Sequence, residues 1–308
     1  MSGATPHPTV PTWLTRTVTA AHGEEGRRWL DALPGLVAAH LDHWDLTVER
    51  TLDPGGSLSL ITYVHRDDLS PAVLKTGLRT PETVHEHEAL AHWAGRGAVL
   101  LLDADPAEGV LLLERLHGDI PLRSLAEPKA MLEATSLLHR LWVPLPDGHP
   151  FPGTAARVAD TAARLAAHRA HPVAEAAEAL AEEALETAAA LAAEEPETLL
   201  LHGDFHHGNV LAADRSPWLA IDPRPVAGER AYDLARLVLD RADNLIGSPG
   251  VPGAVRRRLG RLSEALEVDR DRLRGWTLLR AVDLALRSLA AGRERDAELY
   301  LEFAGALP

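Results

Sequence analysis

The chain has 308 residues, 46% of them apolar, with 31 basic and 45 acidic side chains and a net charge of −14. That size and composition fit one large or two medium domains with a sizeable core, and they exclude wholesale disorder. The acidity argues against a nucleic-acid partner, no apolar run nears the ~20 residues that span a bilayer, and the absence of cysteine excludes disulfides, a thiolate nucleophile and a Cys-based zinc site.

The first residues lack the basic and apolar regions of a secretory signal, so a cytoplasmic protein is expected. Residues 1–22, rich in Pro and Thr, predict a flexible N-terminal arm. Residues 24–41 place Trp29, Leu30, Leu33, Val37 and Leu41 near one helical face, with Pro34 bending or dividing that helix. The period then changes. Residues 46–52 alternate, Pro54-Gly55-Gly56-Ser57 reads as a turn, and 58–64 and 72–76 read as the next two strands of an antiparallel meander. Residues 81–94 predict a helix with Thr80 as N-cap and Pro81 at its first position. Two apolar runs, 98–102 and 110–114, predict two more strands.

After Gly118 the pattern turns helical, over 122–142 and over the Ala- and Glu-rich stretch 155–194, which Pro172 and Pro196 punctuate. A strand-loop-strand segment follows at 198–222, and 229–308 reads as mostly helical. The expected fold is α+β: a small antiparallel β-rich lobe with one helix (23–116) and a larger, mostly α-helical lobe (117–308).

The densest polar cluster is His202-Gly203-Asp204-Phe205-His206-His207-Gly208-Asn209, between apolar runs, with Asp222 closing the run that ends at Ile221. Asp204 and Asn209 have the D-x-x-x-x-N spacing of a kinase catalytic loop. There the Asp accepts the proton of the acceptor hydroxyl and the Asn holds Mg²⁺, while a later Asp supplies the main metal carboxylate. Mg²⁺ is a hard cation that takes oxygen ligands, so an amide and a carboxylate suit it. Turn formation alone explains Asp and Asn in loops; the strand flanks and Asp222 tip the balance toward chemistry. A rival reading has His202, Asp204, His206 and His207 binding zinc in a hydrolase, but it leaves the β-rich lobe unexplained.

Lys75 closes the third predicted strand, where kinases place the lysine that meets ATP phosphates and a helix glutamate. The chain has two lysines, Lys75 and Lys129, among its 31 basic residues. A lysine inside an apolar strand therefore marks a position where a guanidinium does not serve. Glu82, Glu86 and Glu88 are candidate partners. Glu86 is preferred, because it shares a helical face with Leu90 and Trp93. Gly55, Gly56 and Ser57 lie where a phosphate-covering loop would lie. The segment from Leu113 through Glu114 to Leu116 marks the junction where a backbone hinge would receive adenine.

The order of these residues, and the phrases LLLERL (111–116), LHGDFHHGNVLAA (201–213) and PWLAIDPRPVAGERAYDLA (217–235), resemble the aminoglycoside phosphotransferases, specifically their streptomycin 6-kinase and hydroxyurea kinase branch. GRGAVLLLDAD (95–105) and GEEGRRWLDALPGLV (23–37) add to the likeness. The resemblance implies a bilobal protein-kinase-like fold that uses ATP with Mg²⁺ on a small-molecule hydroxyl. It implies Asp204 as catalytic base, Asn209 and Asp222 as Mg²⁺ ligands, Lys75 on the phosphates and Glu86 orienting Lys75, with His202 and Asp233 bracing the site. The implied acceptor is a cationic aminoglycoside, with Asp240, Asp243, Asp283 and Glu298 as candidate acidic lining; a small neutral acceptor such as hydroxyurea is the alternative. The sequence carries no signal for an oligomeric state.

Overall fold

A computed structural model describes residues 10–53, 55–56, 58–245 and 250–308. The chain divides into two compact units, Met1–His117 with Ala213–Arg215, and Gly118–Ala212 with Ser216–Pro308.

In the first unit, β1 (Thr47–Thr51), β2 (Ser59–His65), β3 (Pro71–Gly77), β4 (Leu101–Asp105) and β5 (Val110–Glu114) form an antiparallel sheet in the order β1-β2-β3-β5-β4. The β3 strand is central. Its register sets Lys75 between Ile61 of β2 and Leu111 of β5. Helix α1 (Thr12–His43) packs Leu14, Val18, Leu33 and Val37 against Leu60, Val64 and Leu74 of the sheet. Burying each such side chain contributes about 1.5–3 kcal/mol.

The flexible arm expected over 1–22 is not what residues 12–22 form. They are helical and join the rest of α1 through Gly23, whose φ is +52°. The helical segment before Gly23 lies so close to the one after it that a Cβ on Gly26 would meet the Val18 carbonyl at 2.7 Å. Leu14 and Val18, one turn apart, bury this segment despite its Thr-rich, weakly helical composition. Residues 1–9 lie outside the described residues.

The helix expected from Pro81 starts later. Helix α2 is Glu86–Trp93, and 81–85 form a turn. Thr83 donates its hydroxyl to the Leu78 carbonyl, and the Thr80 hydroxyl accepts the Glu82 N–H. Such local side-chain bonds compete with helix propagation.

The second unit is built on helices. They are α3 (Glu127–Leu141), α4 (Thr154–His168), α5 (Pro172–Ala176), α6 (Glu178–Ala193), α7 (Arg230–Val238), α8 (Val251–Leu266), α9 (Arg270–Ala290) and α10 (Glu294–Gly305). Helix α9 is the hub and packs on α4, α6, α7, α8 and α10. Two small sheets flank the polar loop. Strand β8 (Leu199–Leu201) lies between β7 (Val143–Pro144) and β11 (Val226–Gly228). Strands β9 (Val210–Ala212) and β10 (Trp218–Ala220) form a hairpin whose other neighbour is β6 (His117–Pro121). The strands on either side of the loop thus belong to different sheets, where the sequence read one strand-loop-strand segment. Strand β6 carries mostly exposed polar residues with no apolar alternation, and β11 has three residues, so neither shows a strand signal.

Candidate functional site

In the first unit, Lys75 is 8% exposed and Glu86 5% exposed. The Lys75 ammonium donates to both carboxylate oxygens of Glu86, at 2.6 and 2.7 Å. Glu88 instead faces His85 and His87, at 3.3 and 3.0 Å, and Glu82 sits in the turn before α2. Gly56 forms an isolated bridge to Ser59, and Gly55 lies against Trp13; Pro54 and Ser57 lie outside the described residues. Glu114, expected at a backbone hinge, has its side chain engaged within the unit: it accepts the Leu100 N–H at 2.7 Å and is clasped by Arg215. The same guanidinium donates to the Gly95 and Ala98 carbonyls, at 2.6 and 2.7 Å. Leu116 is buried.

In the second unit the loop after β8 is held from several sides. Asp233 of α7, 1% exposed, accepts the N–H groups of His202 and Gly203 at 3.0 and 2.8 Å and the Trp142 indole N–H at 3.1 Å. Buried His202 accepts the Asp204 N–H on Nδ1 at 3.3 Å, which leaves Nε2–H to donate to the Ile221 carbonyl at 3.0 Å. Burial lowers its pKa and favours this neutral form. Gly203 has φ +78°, and a Cβ there would lie 1.9 Å from the Arg224 carbonyl oxygen, so no side chain fits.

Asp204 is 9% exposed. Arg236 donates to its Oδ1 at 3.0 Å, Arg280 lies 3.7 Å from the same oxygen, and Arg224 lies 3.6 Å from Oδ2. Burial pushes this carboxyl up, but the three guanidinium groups outweigh burial and hold it well below the usual carboxylate range. Neighbouring His206 is pushed down to about 3, by burial first and then by Arg236, and is neutral.

Asn209 ends the loop. Its side-chain N–H donates to the Asp204 carbonyl at 3.1 Å, which leaves the amide oxygen as the acceptor of that side chain. The β9–β10 ladder continues one step, with the Ile221 N–H donating to the Asn209 carbonyl at 2.9 Å. Asp222 follows directly, in a left-handed conformation (φ +60°) that costs a non-glycine residue energy and often marks functional sites. An amide oxygen and a carboxylate brought to one hairpin end are a hard-oxygen donor set that suits Mg²⁺.

The zinc reading finds no ligand set. His207 pairs with Asp240 at 2.6 Å, His206 accepts the Gly208 N–H, and His202 is bonded as above. Among the described residues no three His, Asp or Glu side chains are grouped to hold a metal.

Two expected lining acids are engaged inside the fold instead. Asp240 also accepts the backbone N–H groups of His207 and Arg241, at 2.9 and 3.0 Å. Asp283 is bound by Arg164 at 2.7 Å and by Arg287 at 2.8 Å. For both, burial works upward, but hydrogen bonds or guanidinium groups win and hold the carboxyls far below the usual range. Asp243 lies exposed, 3.4 Å from Arg123, and Glu298 is exposed on α10.

Sequence reasoning missed the three arginines. Arg224 stands two residues after Asp222, and Arg236 one helical turn after Asp233 in the otherwise apolar run AYDLARLVL. A charged residue at that spacing in such a run is a usable signal. Arg280 comes from α9 and has none.

The family model for aminoglycoside/hydroxyurea antibiotic resistance kinases matches residues 43–292. The chain is 39% identical over 288 residues to a streptomycin 6-kinase of Streptomyces glaucescens, covering 92% of each chain. It is 37% identical over 317 residues to a hydroxyurea phosphotransferase of Kitasatospora aureofaciens, covering 96% of this chain and 87% of the relative. A crystal structure of aminoglycoside phosphotransferase APH(4)-Ia, in ternary complex with ADP and hygromycin B, superposes with a TM-score of 0.61 at 18% identity, covering 87% of this chain and 96% of that one. No helix among the described residues is long and apolar enough to cross a membrane.

Proposed function

The chain belongs to the aminoglycoside/hydroxyurea antibiotic resistance kinases, and on that premise we propose that it transfers the γ-phosphate of ATP, in the cytoplasm, to a hydroxyl of a streptomycin-like aminoglycoside and so inactivates it. The observation that carries this reading is the loop of the second unit. An ionised, braced Asp204 stands on the same turn as Asn209, and the hairpin register brings Asp222 to Asn209.

Asp204 orients the acceptor hydroxyl and takes its proton as the bond to phosphorus forms. Transfer is direct and in line, without a phospho-enzyme. Asn209 and Asp222 would hold Mg²⁺, which supplies neutralisation of phosphate charge when bound. Lys75, fixed by Glu86, binds phosphate oxygens, and the Gly55-Gly56 turn covers them with backbone N–H groups. His202 and Asp233 keep the loop in shape.

A hydroxyurea-type acceptor is the second reading. It is favoured by one observation: Asp240 and Asp283 are already matched by an imidazole and by arginines, and a neutral acceptor needs no acidic lining.

The test is a coupled ADP-release assay with streptomycin and with hydroxyurea, followed by mass spectrometry of the products. Acceptor-dependent ADP release and a phosphorylated product are expected. Asp204→Asn should lower kcat by about 10²–10⁴-fold, the usual share of a positioned base, with ATP binding nearly unchanged. Unaltered turnover in that variant, or no phosphorylated product from either acceptor, overturns the reading.

A further inference from the structure

A groove of about 520 Å³ opens between α3 and α8 in the second unit, away from the residues assigned above to catalysis. Its apolar part comes from Met131, Leu132, Leu245 and Leu262. Leu132 is 68% exposed and, with Leu69 and Ile120, is one of the three exposed large apolar residues among those described. Its charged part comes from Arg257, Arg258 and Arg261 of α8, with Arg261 one helical turn on from the other two.

The arginines differ in what they do. Arg258 is buried. It donates to the Val238 and Asp240 carbonyls at 3.0 and 2.7 Å and pairs with Glu127, the one acidic residue lining the groove. Arg257 and Arg261 are exposed, and among the described residues neither makes an ion pair or a hydrogen bond. In a chain with a charge of −14, two adjacent guanidinium groups without a carboxylate are an uncompensated positive spot beside apolar surface. The Arg258 bonds fix the inner wall, so the groove is preformed, and preformed sites pay less ordering cost on binding.

The size selects the occupant. The volume lies within the range of small-ligand pockets, about 300–1,000 Å³. The groove is lined by 12 residues, against the roughly 20–30 a side of a stable protein interface. The geometry points to a binding site for a small amphipathic anion, an aliphatic or aryl body bearing one carboxylate or phosphate, with the body on Met131, Leu132 and Leu262 and the anionic group between Arg257 and Arg261. This site is independent of the kinase assignment, since its residues and its readout lie outside the catalytic loop.

Isothermal titration of the full chain with octanoate, octyl phosphate, octanol and octylammonium tests it. Saturable binding is expected for octanoate and octyl phosphate, and the two anions tell carboxylate from phosphate preference. Octanol should bind at least tenfold more weakly than the better anion, and octylammonium should not bind. The double variant Arg257→Glu/Arg261→Glu should lose anion binding at least tenfold. Arg256→Glu, a single charge reversal on the same helix outside the groove lining, should leave it within twofold; melting curves establish that both variants fold. Absence of saturable binding by either anion, equal binding of the octylammonium cation, or unchanged affinity in the folded double variant overturns the proposal.

Discussion

Replacing Asp233 tests whether the polar loop is held as the structure indicates. The carboxylate is 1% exposed and accepts three N–H groups, from His202, Gly203 and Trp142, at 3.0, 2.8 and 3.1 Å. Alanine would leave all three donors buried and unpaired. Each orphaned donor costs about 1–3 kcal/mol, so the sum approaches the whole stability of a typical protein, about 5–15 kcal/mol. Asparagine is the better probe because it keeps one oxygen and the volume. Its amide N–H₂ must still face donors on one side, which costs about 3 kcal/mol once one or two bonds are lost. At roughly 2–4 °C per kcal/mol for a unit of this size, Asp233→Asn should lower Tm by about 6–12 °C in a thermal melt. The control is Asp243→Asn, whose exposed carboxylate meets one arginine at 3.4 Å and should change stability by under about 1 kcal/mol. A loss below about 2 °C in Asp233→Asn would refute the idea that this carboxylate braces the loop.

Three further outcomes follow from the same geometry. Lys75→Met leaves the buried Glu86 carboxylate without its ammonium and should cost about 3–5 kcal/mol in urea denaturation, whereas Lys75→Met/Glu86→Leu should recover most of that loss; equal stability of the two variants would contradict a buried pair. Asp204, Asp240 and Asp283 have folded-state pKa values below the unfolded value of about 3.9, so they bind fewer protons folded than unfolded and their stabilisation is fully present above about pH 4. It should disappear as pH falls below 4 toward the folded values, and a urea midpoint that stays flat from about pH 4.5 to 2.5 would show that these pairs contribute nothing. Arg236→Met removes the nearest cation from Asp204 and should raise its pKa, moving the acid limb of kcat/KM to higher pH than in the parent; a limb that does not move would separate Arg236 from the ionisation of Asp204.

What the sequence disclosed and what it hid divide along a physical line. The Asp204–Asn209 loop and the Lys75 strand were legible because their signals are local: fixed spacing, flanking apolar runs, and a rare lysine among many arginines. Glu86 was preferred over Glu88 on helical phase, and the phase holds within α2 although the helix starts five residues late. Residues 12–22 carry the weak helix propensity of threonine, and the burial of Leu14 and Val18, one turn apart, which composition does not show, makes them helical. Strands β6 and β11 exist through pairing partners far along the chain and have no pattern of their own. Two of the four acids set aside for a cationic acceptor, Asp240 and Asp283, are engaged inside the fold, and the sequence hid this for a related reason. A carboxylate on a helix looks the same in sequence whether solvent or a buried arginine meets it, and Arg164 and Arg287 decide the matter for Asp283 only in three dimensions.

The charge around Asp204 bears on how such a loop can work. A carboxylate flanked by Arg224, Arg236 and Arg280 is ionised at any working pH. A base held that far below the pKa of a hydroxyl cannot remove its proton before transfer begins. It can accept a hydrogen bond, which orients the oxygen, and take the proton once the bond to phosphorus has acidified it. That order suits the loose transition state of phosphoryl transfer, in which the nucleophile carries little negative charge and positioning matters more than basicity. The arginines then have a purpose that composition could not reveal. Arg236 and Arg280, with side chains 11% and 9% exposed, fix Asp204 from the interior. Arg224, at 27%, is the most solvent-accessible of the three. The crowding of guanidinium groups at this loop has a rationale: a guanidinium keeps its charge when buried beside other cations.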